Sequence, residues 1–191
     1  MDILFSHVSI VTMDERMSVW VDAFLGVTDG RIAYIGKNAP EEKPERILDG
    51  AGMVLMPGLV NCHTHLPMSL LRGYGEELPL SEWLSRSIFP QEERMDARSV
   101  KAAALLSIAE CLRFGVTSVS DMYFCSDAVA EAVAESGIKA NLCLAVTTDR
   151  TDDFDPDTDP DFREAEALHD KWHGYDGGRI RVDCGIHAEY T

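Results

Sequence analysis

Two histidines, two residues apart, are the part of this sequence best suited to chemistry. His63 and His65 come after an apolar run that Pro57-Gly58 interrupts and Leu59-Val60 resumes. Because residues two apart on a β-strand point to the same side, both imidazoles should project together from the end of a buried strand. Such a pair can hold one first-row divalent metal ion. It can equally be two histidines satisfied by hydrogen bonds, so the flanking sequence has to decide.

That flanking sequence resembles a known family. The segment PGLVNCHTHLPMSLLRG, residues 57–73, resembles the first barrel strand and loop of the amidohydrolase superfamily. Within the superfamily the chain resembles the deaminases that act on methylthioadenosine and S-adenosylhomocysteine. This likeness continues through Glu82-Trp83-Leu84, Pro90-Gln91-Glu92 and 121–124. The resemblance implies an α/β fold, the (β/α)8 TIM barrel, with its first four strands in residues 56–191. It also implies that residues 1–55 are the N-terminal part of a composite β-sandwich domain.

The resemblance assigns roles to five residues. His63 and His65 would bind one divalent metal ion, zinc with iron, nickel or manganese as alternatives. Trp83, Glu92 and His187 would bind substrate, with Trp83 and Glu92 at the thioether side and the ribose hydroxyls. Without the resemblance, we would interpret Trp83 as an aromatic residue of the core and Glu92 as a residue on a solvated helix face. The other metal ligands and the carboxylate that moves protons come from later strands in the family, so no catalytic residue is expected within this chain, only beyond Thr191.

The end of the fourth barrel strand, residues 182–187, contains no lysine. Superfamily members with two metal ions place a carboxylated lysine there, so its absence favours the branch with one metal ion. The predicted function is deamination of an adenosine-type thioether nucleoside to its inosine analogue and ammonia by a metal-activated water. Two alternatives stay open. One is a guanine, cytosine or triazine hydrolase of the same superfamily, and the other is a truncated fragment without catalysis.

Composition narrows the classes of partner. The 191 residues are 46% hydrophobic, and 33 acidic against 17 basic side chains give a net charge of −16. Such a surface repels nucleic acid and anionic membranes, which excludes both as partners. The resemblance implies a small nucleoside or heterocyclic amine as the partner. The five cysteines are odd in number and widely spaced, and no leader or membrane-spanning run is present, so a reducing cytoplasm is expected. Half a barrel would leave its first and fourth strands as open edges. We therefore expect these edges to be covered, either in a homo-oligomer or by a C-terminal half that is missing from this sequence.

The chain should change from β-structure to alternating strands and helices near residue 57. Thr28-Asp29-Gly30 predicts a hairpin turn between two strands. Leu105, Ile108 and Leu112 form an apolar stripe that predicts a helix over 98–114, with Gly115 after its end. Alternation of strands with helices of this length predicts a parallel sheet. The remaining predictions are a helical segment at 81–95, a helix at 128–135 with Asp127 as N-cap and Gly137 at its end, a helix at 163–172, and strands at 116–120, 138–146 and 179–187.

The acidic run at 151–161 resembles a calcium loop in its spacing. Asp155, Asp157, Asp159 and Asp161 alternate, and Glu166 stands at the twelfth position. However, Pro160 occupies the position where such a loop needs glycine. A solvated acidic loop is therefore the prediction. The chain also lacks the glycine-rich phosphate-binding motifs and the Gly-x-Ser-x-Gly of serine hydrolases.

Overall fold

The computed structural model describes residues 1–146 and 155–186, which divide into two compact units. The first unit is Met1–Pro57 and the second begins at Gly58. Across these described residues, no helix combines the length and apolar character needed to cross a membrane.

The first unit is a mixed five-stranded sheet. Its central strand β1 pairs antiparallel with β2 and parallel with β4 and β5, while β3 pairs with β2. The predicted hairpin is confirmed: Asp29 and Gly30 connect β2 to β3, both with φ near the left-handed region (50° and 69°), as a tight two-residue turn requires. The strands are β1 (Ile3–Val11), β2 (Val19–Thr28), β3 (Arg31–Gly36), β4 (Arg46–Asp49) and β5 (Val54–Leu55).

The second unit alternates strands and helices around a parallel sheet with the order β10-β8-β7-β6, which confirms the predicted βα pattern. Short extensions β9 and β11 pair parallel with each other. The strands are β6 (Leu59–Thr64), β7 (Val116–Met122), β8 (Lys139–Cys143), β9 (Ala145–Val146), β10 (Ile180–Val182) and β11 (Gly185–Ile186). The helices are α1 (Leu80–Trp83), α2 (Phe89–Glu92), α3 (Ala97–Arg113), α4 (Ser126–Ser136), α5 (Pro160–Trp172) and the single turn α6 (Tyr175–Gly178).

Helix α3 is confirmed and packs against the sheet, but Leu112 of the predicted apolar stripe is exposed and Leu105 is only partly buried. Asp96 and Ser99 form a reciprocal capping box at its start, and Gly115 has a φ of 81° just past its end. Ile108 is fully buried and belongs to the same cluster as Val119 of β7. Strand β6, in contrast, is exposed from Leu59 to His63, so the prediction of a buried strand before the histidine pair is wrong for the described residues.

Two local predictions are wrong. Asp127 does not cap α4, because Cys125 is the N-cap with left-handed backbone angles and the helix begins at Ser126. Asp127 instead accepts hydrogen bonds from Lys171 Nζ and Trp172 Nε1 at 2.7 and 2.6 Å, which ties α4 to α5. Helix α5 starts three residues earlier than predicted, at Pro160, because the Asp159 carboxylate accepts from the backbone N–H of Phe162 at 2.9 Å.

The described part of the acidic run is used for local turns. The Asp155 carboxylate accepts from the N–H of Asp157 at 3.1 Å and from the Thr158 hydroxyl at 3.1 Å, and Asp159 caps α5. These aspartates thus bond to nearby backbone and side chains, which fits the predicted solvated loop better than a calcium site.

Candidate metal centre

The histidine pair lies at the carboxyl end of β6. Thr64 is the last residue of the strand, and His63 and His65 stand on either side of it. Their Nε2 atoms face each other at 3.3 Å, with the two rings nearly perpendicular. Two nitrogens bound about 2.1 Å from one zinc ion are separated by about 3.0–3.4 Å. The predicted convergence of the rings is therefore confirmed, and the donor set fits a shared divalent ion.

The backbone of β7 fixes which nitrogen of His65 can bind a metal. His65 Nδ1 lies 2.7 Å from the Met122 carbonyl oxygen. A carbonyl oxygen only accepts hydrogen bonds, so Nδ1 carries the proton and the lone pair of the neutral ring is on Nε2. Metal-binding histidines are commonly oriented by such a bond on the opposite ring nitrogen. The structure thus presents Nε2 of His65 toward His63 in the form that a metal requires.

A buried carboxylate holds the strand end that carries the pair. Asp121, only 2% exposed, accepts at Oδ1 from the Thr64 hydroxyl at 2.7 Å and from the Leu66 N–H at 2.6 Å. Burial raises the pKa of Asp121 to about 6, although these hydrogen bonds and the nearby imidazoles oppose the rise. Because Asp121 accepts hydrogen bonds from the residues on both sides of His65, it fixes the backbone from which the His65 ring projects.

Replacing Asp121 with asparagine should change how stability depends on pH in the metal-free protein. With a pKa of 3.8 when unfolded and about 6 when folded, the carboxyl stabilises the fold fully below pH 3.8 and loses that contribution as pH rises through 6. At 1.36 kcal/mol per pKa unit the loss is about 3 kcal/mol. Denaturant unfolding from about pH 4 to pH 7.5 should show wild type losing most of this stability relative to the variant, because pH 4 already lies slightly above the unfolded pKa. A difference that stays constant with pH would contradict the raised pKa.

Trp83 lies in a cleft that also includes His65. The cleft has a volume of about 480 Å³ and is lined in part by Thr64, Met68 and Tyr74. The indole Nε1 of Trp83 donates to the Tyr74 carbonyl at 2.9 Å. Gly75 allows this close packing, because a Cβ there would meet Ser87 Oγ at 2.3 Å and the Trp83 ring at 3.2 Å.

Glu92 does not line that cleft; it borders a smaller one of about 300 Å³ with Phe124. Residues 84–88, between Trp83 and Glu92, form a wider π-helical turn, a feature often found at functional sites. Glu92 is linked to the end of β7, because the Tyr123 hydroxyl donates to its Oε1 at 2.7 Å. Glu92 is therefore tied to the end of β7, whereas Trp83 shares a cleft with His65 at the end of β6.

The remaining predicted site residue, His187, lies outside the described residues. Within the described ranges, no third histidine, cysteine, aspartate or glutamate joins His63 and His65 to form a three-ligand group. The residues that sequence reasoning missed are Asp121 and Tyr123, although both stand in the motif at 121–124 that carries the family resemblance. The signal available for Asp121 was a charged residue directly after the strand predicted at 116–120.

Comparisons with known proteins find a matching family and similar sequences. A family model described as Amidohydrolase family matches residues 54–191. A 5-methylthioadenosine/S-adenosylhomocysteine deaminase of Syntrophomonas wolfei subsp. wolfei is 38% identical over 192 residues, which cover 100% of the chain and 43% of that protein. A 5'-deoxyadenosine deaminase of Methanosarcina acetivorans is 35% identical, with 100% and 43% covered.

A solved structure is similar over the same span. The adenosine deaminase from Xanthomonas campestris with bound zinc is 31% identical, has a TM-score of 0.83, and matches 100% of this chain and 44% of its own. The chain therefore spans less than half the length of the relatives that it matches.

Proposed function

The chain belongs to the amidohydrolase family, and we propose that it forms the first part of a metal-dependent aminohydrolase for adenosine-type nucleosides. The substrates are 5'-thioether or 5'-deoxy nucleosides, and the products are the inosine analogue and ammonia. The observation that carries the proposal is the convergence of His63 and His65 Nε2 at 3.3 Å, with the His65 tautomer set by Met122. The names of the deaminases that match the whole chain support the substrate class.

His63 and His65 would hold the metal ion, for which we propose zinc. When bound, such an ion supplies a water that is nucleophilic near neutral pH. The contributions of the chain itself are positional: Met122 orients the His65 ring, and Asp121 fixes the strand end through Thr64 and Leu66. The residue that moves protons is not assigned to any position within this chain.

Trp83, Glu92 and His187 are proposed to bind substrate. Trp83 offers an aromatic surface beside His65 that suits an apolar 5' substituent. Glu92 carries a carboxylate that can accept hydrogen bonds from two ribose hydroxyls. Both lie in the helical segment that precedes α3, so one segment would recognise the sugar and its substituent.

The larger architecture follows from the same proposal. The four parallel strands of the second unit would be half of an eight-stranded barrel, and the N-terminal sheet would be part of a composite sandwich. All five cysteines are free, which fits a cytoplasmic enzyme. The protein in which residues 1–191 are continued by a C-terminal part like that of the relatives, such as that of the Syntrophomonas wolfei protein, is called the completed enzyme.

A substrate panel tests the proposal. The completed enzyme, loaded with zinc, should release ammonia from 5'-methylthioadenosine, S-adenosylhomocysteine and 5'-deoxyadenosine. We expect kcat/KM for these to exceed that for guanine or cytosine by about 100-fold or more, because free bases lack the groups that Trp83 and Glu92 would contact. Ammonia release and chloride release from a chlorotriazine are measured side by side. Preference for guanine, cytosine or the triazine would overturn the substrate assignment while keeping the family.

A further inference from the structure

Tyr123 is a buried residue directly after β7, and its hydroxyl contacts the proposed sugar-binding carboxylate. The side chain is 6% exposed, and the hydroxyl donates to Glu92 Oε1 at 2.7 Å. The ring stacks on Phe124 with centroids 4.3 Å apart, and Met95 Sδ lies 3.9 Å from the same hydroxyl. The ring is therefore held firmly, and the hydroxyl can direct Glu92 with little freedom of its own.

This hydrogen bond restricts how Glu92 can meet a ligand. A carboxylate offers about four lone-pair positions on two oxygens. Tyr123 occupies one position on Oε1, which leaves Oε2 and the rest of Oε1 for other donors. Hydrogen bonds from a neutral donor to a charged acceptor are stronger than neutral pairs, so this one selects a single orientation of a side chain that otherwise has three rotatable bonds.

Tyr123 also relates Glu92 to the histidine pair. The residue before it, Met122, orients His65 through its carbonyl oxygen. One dipeptide at the end of β7 therefore positions a candidate metal ligand with its backbone and the candidate sugar ligand with its side chain. The placement of the sugar-binding carboxylate relative to the metal-binding histidine would then be set by a rigid strand end and not by the helical segment alone.

We propose that Tyr123 is the positioning residue that orients Glu92 and thereby selects nucleosides with both ribose hydroxyls. This inference rests on the proposed function. Burial, the hydrogen bond to Glu92 and the charge of Glu92 raise the pKa of Tyr123 above its usual value, so the hydroxyl remains a donor throughout the neutral pH range.

The test compares Tyr123→Phe with wild type in the completed enzyme, on 5'-deoxyadenosine and on its 2'- and 3'-deoxy derivatives. Removing a hydrogen bond to a charged group should raise KM for 5'-deoxyadenosine by about tenfold, with kcat changed less. For at least one derivative that lacks a ribose hydroxyl, kcat/KM should be nearly unchanged by the substitution. The selectivity ratio, kcat/KM for 5'-deoxyadenosine divided by kcat/KM for that derivative, should therefore fall. Because both substrates meet the same preparation, this ratio does not depend on the fraction of folded enzyme.

Tyr34→Phe is the matched control, because its hydroxyl donates to the Asn38 carbonyl at 2.8 Å within the N-terminal sheet. It should leave the ratio unchanged. In a Glu92→Ala background, Tyr123→Phe should have no further effect on the ratio, as expected if it acts through that carboxylate. Equal losses on all substrates, or an additive effect in the double variant, would overturn the inference. If wild type deaminates none of these nucleosides, the proposed function itself fails, and the two outcomes are distinguishable.

Discussion

Replacing His63 with alanine in the completed enzyme is expected to abolish metal retention and deamination together. The variant removes one of the two nitrogens that converge at 3.3 Å, and the other, on His65, cannot retain the ion in its place. Catalytic zinc sites normally need three protein ligands, so the loss of one should lower metal content after dialysis to well below one ion per chain. Deamination should fall by about 10⁴-fold or more, since the nucleophilic water depends on the ion.

His169→Ala is the control for unspecific metal binding by exposed histidines. His169 lies on α5, where its ring stacks on that of His173 with centroids 4.6 Å apart. This pair could collect metal ions without contributing to deamination. Metal analysis and ammonia release should match wild type in His169→Ala. Retention of a full ion by His63→Ala, with activity, would place the metal centre elsewhere.

The 191-residue chain by itself should neither retain stoichiometric metal after dialysis nor deaminate 5'-methylthioadenosine. It provides two converging histidines, and the described residues add no third ligand to them. Absence of a positioned proton-transfer group typically costs 10²–10⁴-fold alone, and the missing ligands add the loss of the ion. Metal analysis and ammonia release are measured on the chain and on the completed enzyme in parallel. Turnover by the chain alone would mean that a carboxylate among these residues moves the proton.

Local signals in the sequence were sufficient for the strand that carries the pair. The spacing of His63 and His65 on a period of two predicts that they face one side, whatever lies around them. The Asp29-Gly30 turn and the glycine after α3 are similarly local, because each depends on a left-handed backbone that few residues tolerate. These features need no knowledge of distant contacts.

The support for the site depends on contacts between distant parts of the chain. Asp121 meets Thr64 because β6 and β7 run parallel in a register that pairs these two residues, 57 positions apart. Nothing in the local sequence around Asp121 specifies that register. Asp127 shows the same limit: the sequence favours it as a helix cap, yet Lys171 and Trp172 occupy its carboxylate. Tertiary partners override local preference when they offer a buried donor.

The bond between His65 and Met122 bears on how a metal ion would enter and leave. It is made by Nδ1, the nitrogen that faces away from His63, so it persists whether or not an ion is present. Preorganisation of this kind removes the ordering cost, about 0.5–1.5 kcal/mol per immobilised side chain, from each binding event. Small zinc domains differ, because their ligands come together only when the metal binds and the domain unfolds without it. If the pair binds metal as proposed, ions would exchange at two ligands that are already in place, and the ion bound there would depend on the metals available to the cell.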